Sequence, residues 1–441
     1  MNIELIFKKA AESGFSASEV YILEKTNNSV STCDGSIDSH KISTSKAISF
    51  RGLVDGKMGY AYSEKFDDCV VDQLIQTAKD AALLIEKEEQ EFIYSGSSDY
   101  TKIEETDSEI ISLSPVELEN MALKFESILK EKVHKVASAK IYLESGKNQI
   151  INSYGLNLQE EKTAISAYIV AVLKESDNEY VNGFSAQVGT YLNKIDLEKV
   201  ASEALKDASN QLQATRAKSG KYKVILENLA FASLLATMSP SFYADVMQKG
   251  KSKLKGLENT QIASEIVTIE DDPHFANSPG SCGFDAEGVR TYKKTIIENG
   301  IFKGFLHNLS TANKDGVEST GNASKASIVS PIRVSSTNLV VKSGELSLDQ
   351  LIEKAENGLY ITELVGLHSG ANSISADFSL SAKGLLIENG KLTKGVKQII
   401  VSGNFFDLLK NITDIADDFI MTYKSIATAS VLVSELSVAG E

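Results

Sequence analysis

Along the first half of the chain, stretches with apolar residues at helical spacing enclose runs in which apolar and polar residues alternate. Ile3, Ile6, Phe7 and Ala10 share one helical face, and Gly14 ends that helix. Strand-like runs follow at 19–25, 28–33, 39–44, 47–54 and 57–63, with turn formers at Asp34-Gly35 and Asp55-Gly56. Val70, Leu74, Ile75, Ala78, Ala82 and Ile85 then predict a helix over 69–85.

An acidic, serine-rich stretch from Glu86 to Leu113 interrupts the pattern, and Ser114-Pro115 supplies a cap and a first-turn proline for a helix over 116–131. After it the earlier order returns. Strand runs at 140–145, 148–153, 156–161, 164–175 and 179–190 lead to a helix over 196–212. VYILEKTNNSV at 20–30 matches KIYLESGKNQI at 140–150, and QTAKDAALL at 76–84 matches EALKDASNQL at 203–212. These pairs predict an α+β domain over 1–218 made of a duplicated helix and antiparallel-sheet unit.

From residue 219 the pattern becomes richer in strands. Tyr222 to Glu227 alternates, Leu229 to Ala236 is a compact apolar run, and Ser239-Pro240 predicts the start of another helix. A lysine-bearing, glycine-bounded segment, GKSKLKG at 250–256, then leads to an alternating strand at 266–269. The stretch 271–288, DDPHFANSPGSCGFDAEG, has no period and exceeds the ~12–15 residues usual for a structureless loop in a compact domain. It is therefore expected to be a lid or a partner-contact loop. Asn-Gly pairs sit between alternating apolar runs at 293–306 and 382–396, which predicts two type I′ hairpins. Further strands are expected at 331–341, 359–365, 378–386 and 398–402, with a helix at 348–355, a short amphipathic turn or helix at 404–415, and a strand pair or partner-facing edge at 423–435. Tight hairpins need no helical crossovers, so 219–441 is expected to be mainly antiparallel β, sheet or barrel-like, with short helices.

Composition sharpens this picture without changing it. With 441 residues, 42% hydrophobic and 24% charged, the chain reads as globular, and its length suggests two domains. A formal charge of -15 opposes direct contact with nucleic acid. No apolar run approaches the ~20 residues of a membrane span, and MNIELIFKKAAESG is too polar for a signal peptide, so a cytoplasmic protein without membrane contact is expected. Cys33, Cys69 and Cys282 are few and scattered, which gives no disulfide framework.

Candidate chemistry is sparse. His40, His134, His274, His307 and His368 lie far apart in sequence, with no HExxH and no CxxC. An independent metal or thiol site would have to be assembled by folding from His274, Cys282, His307 and His368. No GxSxG elbow is present. The letters GKS at 250–252 lack the first glycine of a phosphate loop, since residue 245 is Asp245, whose charge would repel phosphate. Lys249, Lys251, Lys253 and Lys255 alternate, which fits a solvated face or a basic patch for an acidic partner.

Four separated segments, in order, carry a family resemblance: SPSFYADVMQKGKSKLKG, IASEIVTIEDDP, the Asn-Gly hairpin leading to KGFLHNLSTA, and VSGNFFDLLKNITDIADD. They resemble the TldD/PmbA family, most nearly its PmbA (TldE) type, over the whole chain. The resemblance implies two homologous subunits forming a heterodimeric zinc metallopeptidase that matures peptide antibiotics and degrades small or unfolded polypeptides. The TldD-type subunit carries a zinc motif, HExxxH, shortly before an acidic residue and the basic segment. With Asp245 in the acidic position, the motif's histidines fall on Leu235 and Pro240 and its glutamate on Ala236. None of these can bind or activate at a metal ion. Nor does NFFDLLKN at 404–411 hold the cysteine of the TldD type.

The resemblance thus implies a subunit with no catalytic residue, metal or cofactor of its own, paired with a zinc-bearing TldD-like partner, or a homodimer in isolation. It would help to bind peptides, with Asp245, Lys249, Lys251, Lys255, His274 and His307 as substrate-binding candidates. Two other readings are an independent metal- or thiol-dependent peptidase and a peptide-binding scaffold without enzymatic activity. The family's association with DNA gyrase modulation would then be indirect.

Overall fold

A computed structural model describes residues 1–86 and 91–441, so residues 87–90 of the acidic stretch after the second helix lie outside the described residues. In the first half, α1 (Ile3–Glu12) precedes three strands, β1 (Ala17–Cys33), β2 (Ser36–Val54) and β3 (Lys57–Ser63), and α2 (Val71–Leu83) follows them. After a short α3 (Ser108–Ser112) the order repeats as α4 (Pro115–Ser127), β4 (Lys135–Asn152), β5 (Asn157–Lys174), β6 (Tyr180–Gly189) and α5 (Leu197–Asn210). Ser114 caps α4 reciprocally with Glu117, which is why the helix begins where the Ser-Pro pair predicts.

The six strands form one sheet in the order β3-β2-β1-β4-β5-β6. Its centre is the β1–β4 ladder, in which Lys25 pairs with Gly146 and Thr26 with Ser145. The shift that carries Lys25 onto Ser145 also carries Thr26 onto Gly146, so the ladder maps onto itself about its midpoint. The five short runs expected in each half are in fact three long strands. The polar stretches Thr26 to Asn28 and Ser43 to Ser45 remain paired, with side chains that water can solvate, and so do not break the ladder.

Alternation decides what each face meets. Val20, Ile22 and Val30 of β1 pack under the helices, whereas Glu19 and Tyr21 point to the opposite face, toward the second half of the chain.

The second half has one continuous apolar core. Five strands close a ring around part of it: β7 (Gly220–Leu226), β14 (Gly358–Val365), β15 (Asp377–Glu388), β16 (Lys391–Asn404) and β20 (Val431–Ala439), with β17 (Ile412–Ile415) added on β20. The closing contact is β16 on β20. One pair in the ring, β7 with β14, is parallel. A second six-stranded sheet runs β10 (Ile301–Phe302), β9 (Lys294–Glu298), β8 (Ile269–Asp271), β13 (Leu339–Val341), β19 (Ile426–Thr428) and β18 (Ile420–Met421). A ribbon of β11 (Ala323–Ser324) and β12 (Arg333–Val334) completes the strands, so the expected strand at 331–341 is two short ones in different sheets.

The helices of this half are α6 (Asn228–Met238), α7 (Ala244–Gln248), α8 (Leu309–Asp315), α9 (Leu348–Ala355), α10 (Leu367–Gly370) and α11 (Phe405–Lys410). Both Asn-Gly turns have the positive φ pair of a type I′ turn, at Asn299 (48°) with Gly300 (82°) and at Asn389 (52°) with Gly390 (72°). The fold is therefore mixed α+β, with an antiparallel sheet first and a β-rich barrel with short helices second.

The loop after β8 is not a lid. It is clamped between the two halves: Asn277 N–H donates to Glu105 Oε1 (3.0 Å) and Gly283 N–H to Glu160 Oε1 (2.8 Å), while Thr190 N–H donates to Asn277 Oδ1 (2.9 Å). A side chain at Gly283 would place its Cβ 2.0 Å from the Thr101 carbonyl oxygen, so only glycine fits there. Arg51 of β2 extends the seam, with Nε 2.7 Å from Glu19 Oε1 and Nη1 3.2 Å from Glu287 Oε1.

Candidate functional site

The site is built where α6 ends. This helix is apolar on almost every side: Ala230, Phe231, Ala232, Leu234, Leu235 and Met238 are buried between barrel and sheet. Ser239-Pro240 does not start an ordinary helix. It forms a single 3₁₀ turn, Ser239–Phe242, because a proline there cannot donate the hydrogen bond that would carry α6 onward. Tyr243 then bridges to Leu306 and α7 begins, with Ala244 N–H donating to the Leu306 carbonyl (3.0 Å).

The half-buried wall here carries hydroxyl groups in series. Ser239 Oγ donates to the Ala236 carbonyl (2.9 Å) and lies 3.0 Å from Tyr243 Oη, which is 3.1 Å from Ser336 Oγ. Each hydroxyl has one proton to give. With Ser239 committed to Ala236, Tyr243 donates to Ser239 and Ser336 donates to Tyr243. The half-exposed Ser336 oxygen is left as a hydrogen-bond acceptor at the open end of the series. Neutral hydroxyls in this arrangement bind and orient; they supply no general base.

The predicted binding residues divide into separate groups. Asp245 and Lys249 do meet, at 3.0 Å across one turn of α7 and its end, while the other Asp245 oxygen is buried without a partner. Lys251, Lys253 and Lys255 all face solvent, and Ser252 and Leu254 between them turn inward. Ser252 Oγ donates to the Ser241 carbonyl (2.6 Å), which pins this segment to the 3₁₀ turn. The segment is coil, not strand, yet its alternation is real and gives a lysine-bearing outer face.

The histidines stand apart from the Asp245–Lys249 pair, although His307 directly follows Leu306, the bridge partner of Tyr243. His274 lies in the clamped loop, its Nε2 3.1 Å from Thr291 Oγ1, and burial holds its pKa below the usual imidazole value. His307 is only 7% exposed, has an unpartnered Nδ1, and burial again favours its neutral form. Among the described residues no hydrogen bond or ion pair joins either to Asp245 or the lysines. Cys282 is no thiolate: burial, reinforced by Glu160, Asp285 and Asp271 against Lys162, pushes its thiol up to about 12.

Sequence reading missed the charged end of α6. Glu227 precedes the helix and accepts a hydrogen bond from Tyr360 Oη (2.9 Å). Asp418 accepts from Ser430 N–H (2.8 Å) and Ser430 Oγ–H (2.7 Å), and Ser430 Oγ receives Asn228 N–H (3.2 Å). Burial first, then the nearby Asp207 and Asp418, push the Glu227 carboxyl up to about 7 against the Tyr360 hydrogen bond. The only signal available in sequence is a glutamate placed just before an unusually apolar helix.

A metallopeptidase metal does not fit these residues. Leu235 is fully buried in hydrocarbon, and Ala236 and Pro240 offer no donor atom. Among the described residues, no three histidine, cysteine, aspartate or glutamate side chains gather closely enough to hold an ion.

Three family models match the chain in succession: PmbA/TldA metallopeptidase domain 1 over residues 18–84, the central domain over 106–212 and the C-terminal domain over 219–440. A Methanocaldococcus jannaschii protein named a metalloprotease is 29% identical over 435 residues, covering 95% of this chain and 93% of that one. A Thermotoga maritima crystal structure, described as a modulator of a DNA gyrase, has a TM-score of 0.92 and 30% identity, with 99% of both chains covered. TldE from Thermococcus kodakarensis shares the fold, with a TM-score of 0.92 at 23% identity over 99% of this chain and 100% of that one. With its domain models matched in order and its fold shared end to end, this chain belongs to the PmbA/TldD family, as a member of the PmbA/TldE type.

Proposed function

We propose that this chain is a non-catalytic subunit of a zinc metallopeptidase, forming one wall of a peptide cleft whose metal is held by a TldD-like partner. The observation that carries the reading is the end of α6. Where the resemblance places two histidines and a glutamate, this chain has Leu235, fully buried in the apolar core, Ala236 at its edge, and Pro240 in the turn that follows. Their alkyl side chains can neither ligate zinc nor deprotonate its water.

What the wall retains is the chemistry of binding. The Ser336 acceptor suits the N–H of an extended peptide, and Lys249, Lys251 and Lys255 offer positive charge to its carboxylates, with Asp245 steering Lys249. His274 and His307 are second-rank contacts in this reading. The name of the jannaschii relative supports a protease setting.

The test is co-purification with a TldD-like chain, followed by zinc content and peptidase activity for each chain and for the pair. The expected result is an inactive isolated chain without stoichiometric zinc, and a pair whose activity and zinc follow the partner. Stoichiometric zinc with peptidase activity in the homogeneous single chain would overturn the reading. Stable failure to pair with any TldD-like chain would favour a peptide-binding scaffold. Among the described residues no helix is long and apolar enough to cross a membrane, and a cytoplasmic setting is part of the proposal.

A further inference from the structure

Lys325 lies between β11 and β12 and reaches from the second half of the chain onto the first sheet. Its Nζ is 2.6 Å from Ser49 Oγ of β2, and it sits 4.6 Å from the centroid of the Tyr60 ring and 5.2 Å from that of Tyr21. Among the described residues it has no carboxylate partner. Both carboxylates of this part of the seam, Glu19 and Glu287, are committed to Arg51, whose guanidinium also bears on Lys325. At this seam Arg51 Nη2 and Glu19 Oε2 are each buried without a partner, and neither makes a hydrogen bond to Lys325.

A half-buried amine that shares its surroundings with a guanidinium and has only a hydroxyl to bond is poorly placed to keep a proton. The charged and titratable groups facing it are Arg51, Glu19, Tyr21 and Tyr60, with Glu287 behind Arg51. The two rings favour the ammonium form. Burial and Arg51 outweigh them and push the amine down to about 7 against the weak opposing pull of Glu19.

We propose that Lys325 is the selectively reactive amine of this chain, a modification site where a small aldehyde condenses to a Schiff base. The Nζ lone pair adds to the carbonyl carbon, the amine proton passes to the former carbonyl oxygen, and loss of water leaves the C=N bond. Only a small aldehyde fits, because the Tyr21 and Tyr60 rings flank the nitrogen. The adduct removes Nζ from Ser49 and so bears directly on the seam between the two halves.

The probe is formaldehyde with cyanoborohydride as hydride source, applied to the full-length protein, with methylation of each lysine followed by mass spectrometry from pH 6 to 10. Lys102 and Lys8, with side chains 83% and 73% exposed, are internal references. At pH 7 Lys325 is expected to react about tenfold faster than either, with a rate that levels off above pH 7 while theirs climb. In Lys325→Arg the fast site disappears and the other rates stay unchanged. Equal or slower labelling of Lys325, a rate that rises with the references to pH 10, or a fast site that survives in Lys325→Arg overturns the proposal.

Discussion

Where β1 and β2 meet the loop after β8, Arg51 lies between Glu19 and Glu287, and one oxygen of Glu19 and one nitrogen of Arg51 are buried with no protein partner. Where α6 meets the barrel and the second sheet, Phe231, Leu234, Leu235 and Met238 are fully buried in one continuous apolar core. Both regions are buried, and they hold the molecule by opposite means. An apolar contact tolerates small shifts, because dispersion and burial have no direction. A buried ion pair fixes direction and distance, because each partner misplaced by an ångström is a charge left without compensation. The difference teaches where orientation matters in this chain: at the junction of its halves, and not inside the helix that underlies the Ser239 and Tyr243 hydroxyls.

The sharpest way to break this contrast is Arg51→Met. It strands Glu19 and Glu287 together in a buried seam, and about 3–5 kcal/mol of stability should be lost in denaturant titration. A loss below about 1 kcal/mol would mean that the seam is wet and the contrast false. Leu235→Ala should cost somewhat less, about 2–4 kcal/mol, since the core around a fully buried leucine collapses only in part. In the assembled pair this change should leave zinc content untouched, which separates a packing role from a metal role.

Glu227→Gln tests the charged end of the apolar helix. Burial raises the Glu227 carboxyl from 4.5 to about 7. Between those values the folded chain holds a proton that the unfolded chain has released, so its contribution to stability falls as pH rises from about 4.5 to 7. The glutamine variant should therefore match the wild type near pH 4 and exceed it by about 3 kcal/mol at pH 8 in thermal melts at both pH values. An equal difference at both would place Glu227 in water. Smallest of all, Lys251→Ser with Lys255→Ser should change stability by less than about 0.5 kcal/mol, because both side chains are exposed. The same double variant should weaken binding of an acidic peptide to the assembled pair in a fluorescence titration, and unchanged affinity would remove the lysines from the peptide site.

Local chemistry carried much of the fold into the sequence. The Asn-Gly pairs at 299–300 and 389–390 need positive φ at two successive residues, which few other pairs tolerate, and both make the turns expected. Ser114-Pro115 likewise has one comfortable place, the start of a helix. Even the central ladder was foreshadowed, because the matching segments at 20–30 and 140–150 are the strands that pair. Long-range partners were not legible. Nothing near Tyr222 says that β7 lies parallel to β14, and nothing in DDPHFANSPGSCGFDAEG says that its glycine faces the Thr101 carbonyl. The same limit hid the candidate site: Ser239, Tyr243 and Ser336 are ordinary polar residues until folding lines up their hydroxyls.

The strand that closes the barrel has a further consequence, one of timing. β20 pairs with β7 through Val431 and Leu226 and with β16 through Ala439 and Ile400, so the ring cannot shut until the chain has been made through those residues. Until then α6, apolar on nearly every side, has emerged from the ribosome without the sheet that will cover it. Closing so long a loop is slow, because its entropy must be lost before its contacts form. The helix beneath the Ser239 and Tyr243 hydroxyls therefore waits unsheltered, with β7 just before it, through most of the synthesis of the second half, and both are segments that a chaperone would have reason to hold.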